Sequence, residues 1–212
     1  MKNFNMKKRW LVLWQRIGAR GDASVIYNDL EKRYSEPHRK YHTFKHIVQC
    51  LNELDRLDCR SSDKNAIELA LWFHDAVYDT HTKGNEEKSA ELAYSILKKA
   101  ELKELGSLVS KLILSTKHKK MPESSLASLL TDIDLSILGQ RTKIFDEYER
   151  NVRKEYSWVL DVKFARGRSE ILLIFLNRPS IFSTPYFQKK YEKRARKNLQ
   201  RSLKKLSKIT RH

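Results

Sequence analysis

An all-α fold, a bundle of amphipathic helices, is the class this sequence predicts, and three observations carry it. Glycine and proline are scarce, six and four in 212 residues, so few positions break a helix. Apolar residues recur at three- and four-residue spacings almost throughout, as in helices with one buried face. No segment keeps the strict alternation of a half-buried strand. No repeat, low-complexity tract or linker divides the chain. One domain over residues 1–212 is therefore expected, with its central part at about 38–140 and further helices at 141–208 packed on it.

The elements follow in order. Trp10, Leu13, Trp14 and Ile17 form one apolar stripe, which Gly18 and Gly21 end. Asp22 can cap a second helix carrying Ile26, Leu30 and Tyr34, and Pro37 breaks the pattern. A third helix from Thr43 places Ile47, Cys50, Leu51, Leu54 and Leu57 on one face. Residues 65–79 are apolar on nearly all sides, the pattern of a helix buried mid-bundle. Gly84 and Asn85 precede a helix from Glu86 through Ala90, Ala93, Leu97 and Ala100. Leu105, Leu108, Val109, Leu112, Ile113 and Thr116 mark the next, with His118 just beyond. Leu126, Leu129 and Leu130 lead into Asp132 and Asp134, and Gly139 closes that element. A stripe through Phe145, Tyr148, Val152, Tyr156 and Val159 predicts a helix over 142–160. Ile171 to Leu176 is a short apolar run ended by Pro179. A last helix, about 185–208, turns Tyr191, Ala195, Leu199 and Leu203 inward and cations outward.

The formal net charge is +17. Such a field attracts polyanions, and it is concentrated in residues 189–211, where eleven Lys or Arg face one acid, Glu192. A basic terminal helix is first a solvated face; contact with nucleic acid or steering of a phosphorylated substrate are the functional alternatives. No apolar run reaches the length of a membrane span. The basic start is followed by a segment interrupted by Gln15 and Arg16, not by a signal-peptide core, so a cytoplasmic protein is expected. Cys50 and Cys59 cannot build a disulfide framework and read as reduced structural thiols.

The chemistry-bearing residues stand apart in sequence. His42 and His46 are four residues apart, so on a helix they would share a face. His74 and Asp75 end the apolar run, where a lone buried carboxylate would be costly. Asp132 and Asp134 lie further on. One imidazole, an adjacent imidazole and carboxylate, and a distant carboxylate suit a divalent ion such as Mn, Fe, Zn, Co or Mg.

His46, His74-Asp75 and Asp134 resemble the H…HD…D signature of the HD-domain superfamily of metal-dependent phosphohydrolases. Tyr41-His42-x-x-x-His46 and Asp134-Leu135-Ser136 also resemble the Y-H-N-x-x-H-A and A-D-L-S motifs of cyclic-nucleotide phosphodiesterases. The stretches 41–47, 72–78, 85–90 and 132–139, together with Gly167-Arg168 and 195–199, are similar to a bacterial family described only as predicted HD-superfamily phosphohydrolases. The resemblance implies an HD-type helical bundle and cleavage of a phosphomonoester or phosphodiester of a nucleotide or similar small molecule by metal-activated water.

It also implies roles. His46, His74, Asp75 and Asp134 are the metal ligands. Asp132 is the competing candidate for the last position; whichever of the two does not ligate would orient an imidazole. His42 would protonate the leaving oxygen, or else be a capping or core histidine. Glu86 would orient the attacking water or simply occupy the first turn of its own helix. Asn85 and His118 are candidate substrate contacts, although His118 also fits an exposed histidine among lysines. Arg153 and Arg168, ahead of Arg178 and Arg196, are candidates to balance phosphate charge, with a surface position the plain alternative. The extra histidines of cyclic-dinucleotide hydrolases and the H-D-x-x-E-D extension of alarmone hydrolases are missing, since Ala76-Val77-Tyr78-Asp79 follows His74-Asp75. A basic nucleic-acid-binding protein with a structural metal site, or a nucleotide sensor, remains the alternative class.

Overall fold

A computed structural model describes residues 6–58 and 60–211, so Cys59 and residues 1–5 of the basic start lie outside the described residues. The described residues are helical, with no strand among them. The helices are α1 (Met6–Arg16), α2 (Ala23–Tyr34), α3 (Phe44–Leu54), α4 (Ser61–Phe73), α5 (Asn85–Lys99), α6 (Lys103–Ser115), α7 (Ser125–Asp134), α8 (Thr142–Glu155), α9 (Asp161–Leu176), α10 (Pro185–Phe187) and α11 (Lys193–Ile209). A 3-10 turn, Leu135–Gly139, follows α7, and a π turn, Gln188–Glu192, joins α10 to α11.

Helix α4 is the axis. Ala66 through Phe73 are all buried, and α3, α5, α6 and α7 pack around them. At one end α1 adds an aromatic cluster, with the Trp10 ring 5.4 Å from Trp72 and 5.9 Å from Phe73. Glu68 is the acid within this buried stretch. Arg9 Nε at 2.6 Å and Arg16 Nη2 at 3.0 Å donate to its carboxylate, which makes its burial tolerable. Asp22 caps α2 as expected, accepting from the Ser24 and Val25 amides at 2.7 and 3.3 Å. One core cluster runs from Trp10 to Leu206. No helix of the described residues is long and apolar enough to cross a membrane.

Three boundaries differ most from expectation. The apolar helix expected over 65–79 stops at Phe73. The buried Arg39 accounts for this: its guanidinium donates to the carbonyls of Asp75 at 2.6 Å and Ala76 at 3.2 Å, satisfying groups that a continuing helix would have used. The helix expected over 142–160 ends at Glu155, where Arg153 folds back to the carbonyls of Tyr156 and Val159. The short run at 171–176 is the end of a sixteen-residue helix, α9. Its apolar residues lie on both faces: Ala165, Leu172 and Phe175 are buried while Ile171, Leu173 and Ile174 are exposed, so no single stripe announces it.

The last element fixes the turn after α7. A Cβ at Gly139 would stand 2.4 Å from the Tyr191 Cβ, so only glycine lets the 3-10 turn meet the π turn this closely.

Candidate metal centre

Three chain segments converge beside α4. Thr43 caps α3, its hydroxyl accepting from the Lys45 amide at 3.3 Å, and the first turn then carries His46 inward. His42 precedes that cap, so the two histidines do not share a helical face as their spacing suggested. His74 and Asp75 follow the last turn of α4, and Asp134 is the last residue of α7.

His46 Nε2 lies 3.1 Å from His74 Nε2 and 3.1 Å from Asp134 Oδ1. His74 Nε2 lies 3.0 Å from Asp75 Oδ2, and the remaining histidine–aspartate separations, His46 to Asp75 and His74 to Asp134, are both 3.7 Å. Ligands about 2.1 Å from one ion stand about 3.0 Å apart at right angles and about 3.4 Å apart at the tetrahedral angle. The His46–His74, His46–Asp134 and His74–Asp75 separations thus suit ligands of one ion, whereas Asp75 and Asp134 fall in different candidate groups. His46, His74 and Asp75 form one candidate ion-holding group, and His46, Cys50 and Asp134 another.

The atoms facing away from the hollow are held. His74 Nδ1 meets the Leu71 carbonyl at 2.9 Å, which turns Nε2 toward the hollow. His46 Nδ1 is 3.0 Å from the Tyr41 hydroxyl. His118 Nε2 meets Asp134 Oδ2 at 2.9 Å, leaving Oδ1 to the hollow. The electrostatics match. Burial works to raise both carboxylates, but the imidazoles overcome it. His74 and His42 hold Asp75 below the usual range, and hydrogen bonds from His118, His46 and His74 hold Asp134 well below it. Burial works to lower His74, but Asp75 and Asp134 hold it well above its ordinary value, so the acids and the imidazole share a proton that a divalent cation would displace. The donor set therefore fits such an ion.

Sequence reasoning missed the group behind His42. Glu155, whose side chain is fully buried, accepts at Oε1 from the amides of Lys40 (2.7 Å), Tyr41 (2.7 Å) and His42 (3.0 Å). Its Oε2 takes His42 Nδ1 at 2.7 Å and the Tyr78 hydroxyl at 2.9 Å. Burial works to lower the His42 pKa, but the Asp75 charge and the Glu155 bond raise it. A signal existed: Glu155 falls on the face of Phe145, Tyr148 and Val152, an acid on an apolar stripe. It also means that the centre draws on α8, beyond the central part expected at 38–140.

Compared with protein-family models, with curated proteins and with solved structures, the chain finds no match.

Of the two aspartates of α7, Asp134 faces the hollow and Asp132 does not. Asp132 accepts from the amides of Ser183 (2.8 Å) and Thr184 (2.7 Å) and from the Thr184 hydroxyl (2.6 Å), so it tethers the approach to α10 and orients no imidazole. Two residues along a helix turn a side chain by roughly 200°. Asn85 is spent on the loop before α5, accepting from the Asp79 amide at 3.2 Å and donating to the Asp79 carbonyl at 2.9 Å, so it is not free for substrate. Glu86 stands in the first turn of α5, partly exposed and near enough to Tyr156 to help push that phenol up after burial and Glu155. His118 is no exposed histidine; it orients Asp134 from a left-handed backbone (φ 53°), with its carbonyl held by Arg178.

The arginines are structural clamps. Arg153 binds Asp161 Oδ1 from Nε at 3.0 Å and two carbonyls that end α8, away from the hollow. Arg168 pairs with Glu149 and donates to the Tyr148 hydroxyl at 2.7 Å; it reaches the centre only through Tyr148, whose ring lies 4.5 Å from Tyr41. Arg196 binds Glu192 and the carbonyls of Leu176, Arg178 and Pro179.

Proposed function

We propose that the protein is a metal-dependent phosphohydrolase of the HD type, acting on a small, nucleotide-like phosphoester. The observation that supports this most is the convergence of His46, His74, Asp75 and Asp134, with an orienting partner behind both imidazoles and Asp134. These four residues would hold the ion. When bound, a divalent cation supplies Lewis acidity toward phosphoryl oxygen and water. The rest falls to the chain itself. Glu155 fixes the His42 ring through Nδ1 and favours its protonated form, so the opposite nitrogen can donate to a leaving oxygen. Tyr78 stacks 4.2 Å from His42 and shares Glu155, which further restrains that ring. Lys119 and Lys120 beside His118 add positive field for a phosphate. The buried free thiol of Cys50 suits a reducing, cytoplasmic setting.

The test is metal analysis of the purified protein, then hydrolysis of p-nitrophenyl phosphate and its bis-ester with and without Mn²⁺. Mn²⁺-dependent turnover is expected, absent in Asp75→Ala. Full turnover in that variant overturns the proposal.

One observation favours a second reading. Lys193, Lys197, Lys204 and Lys208 lie on one exposed face of α11, and none has a partner among the described residues. Such a stripe suits the backbone of a nucleic acid. Binding of DNA or RNA that weakens steeply with salt, and is lost when these lysines become glutamates, would support it.

A further inference from the structure

Beside the centre, a groove of about 780 Å³ opens between the loop 36–40, the loop 76–81 and the turn after α8. Its volume is that of a small-molecule site. Its acids are already engaged. Glu155 is closed by five donors, Asp79 accepts from the His81 amide at 2.8 Å, and Glu36 pairs with Arg39 at 2.9 Å. Its cations are less committed. Lys154 has no partner among the described residues, and Lys40 donates only to the neutral carbonyl of Pro37. The groove therefore offers two lysine ammonium groups that no acid partners.

An aromatic platform stands at its rim. Trp158 is 52% exposed, yet its indole is fixed: Nε1 donates to the Thr80 hydroxyl at 2.9 Å, and His81 stacks on it at 4.1 Å and 19°. A large, oriented aromatic surface left open beside free lysines suits an aromatic base attached to a phosphate. The groove also touches the chemistry. Tyr78 and Glu155 line it, and both contact His42.

We propose that this groove binds a nucleotide, with the base on Trp158 and the phosphate between Lys154 and Lys40. The occupant is the leaving-group side of the substrate, a placement that rests on the hydrolase reading because it takes His42 as the group that protonates the leaving oxygen. The substrate class is then a nucleotide phosphodiester: water adds to phosphorus, the bond to the leaving nucleotide oxygen breaks, and that oxygen takes the His42 proton.

Tryptophan fluorescence tests the binding without turnover. Trp10, Trp14 and Trp72 are buried, so Trp158 is the tryptophan that an added ligand can meet. With EDTA present, the intact protein is titrated with AMP, adenosine and ribose 5-phosphate. AMP should quench the emission saturably and bind about tenfold or more tighter than adenosine or ribose 5-phosphate, as expected when both stacking and charge contribute. Trp158→Phe should abolish the quench, and Lys154→Ala should weaken AMP by about fivefold or more, with unchanged circular dichroism in both. No saturable quench by AMP, equal binding of adenosine, or unchanged AMP affinity in Lys154→Ala would each overturn the proposal. Because no metal is present, a failure of the hydrolase reading leaves this result intact. A dinucleotide whose KM is unchanged in Lys154→Ala, although that variant loses AMP affinity, would overturn the leaving-group placement alone.

Discussion

Glu155 and Asp132 are closed by backbone amides, whereas Asp75 and Asp134 face imidazoles. All four carboxylates belong to one bundle, and their partners separate them. Glu155 ties three consecutive amides and two side chains, and Asp132 ties two amides and a hydroxyl. Each does the work of a cap, joining segments distant in sequence. Asp75 and Asp134 instead meet the Nε2 atoms of His74 and His46, which face the same hollow. An acid saturated by amide donors has little left for a ligand. Two acids held ionised only by imidazoles leave a place that a cation could take by displacing the imidazole protons.

The contrast can be broken by substitution. The largest effect expected is on metal: Asp75→Ala and Asp134→Ala should each lower metal affinity by more than about a hundredfold, beyond the usual loss for an orienting partner. Calorimetric titration with Mn²⁺ or Zn²⁺ measures this. Glu155→Ala should do the reverse in kind, costing about 3 kcal/mol or more of stability by stranding buried amides, read from urea unfolding. A normal midpoint in that variant would erase the distinction.

Acid sharpens the same point. Burial works to raise Glu155, but the His42 hydrogen bond and charge bring it down to about 2 from an ordinary 4.5. Because the folded value is the lower one, this contribution is complete above about pH 4.5 and is lost as pH falls toward 2. Unfolding curves across that window should be shallower in pH for Glu155→Gln than for the parent. A smaller effect separates the neighbours on α7. Asp132→Asn should cost about 1–3 kcal/mol of stability with metal binding retained; if it released the ion as Asp134→Ala does, their division of labour would be wrong. Least of all, Arg153→Ala should cost about 1 kcal/mol and leave hydrolysis unaltered, the mark of a clamp that never meets substrate.

How far the sequence could be read followed from what each residue type betrays. Helices with one stripe were legible, because periodicity records a single buried face: α1, α2 and α5 lie where their patterns put them, and α3 starts as expected but ends at Leu54, short of Leu57. Helix α9 was hidden because it is apolar on covered and open faces alike, and the stop after Phe73 was hidden because it depends on Arg39, a residue whose partners lie 36 and 37 positions away. At the centre, residue types and order were enough to assemble His46, His74, Asp75 and Asp134 as candidates. The A-D-L-S resemblance favoured Asp134 over Asp132; what α7 alone could not reveal is that Asp132 is held by the turn at 183–184 instead of orienting an imidazole. The arginines misled for a related reason. A guanidinium suits phosphate and helix-end carbonyls equally well, and here Arg153 and Arg196 are spent on carbonyls, Arg178 on one, and Arg168 on a carboxylate and a phenol.

The contact between Gly139 and Tyr191 has a temporal side. Asp134 sits directly before a turn pressed against that tyrosine, and its neighbour Asp132 is anchored to residues 183 and 184. During synthesis on the ribosome, His46, His74 and Asp75 would emerge long before the stretch that sets the last carboxylate in register. A nascent chain would thus be unable to trap an ion in its finished geometry until about residue 191 had cleared the exit tunnel and docked.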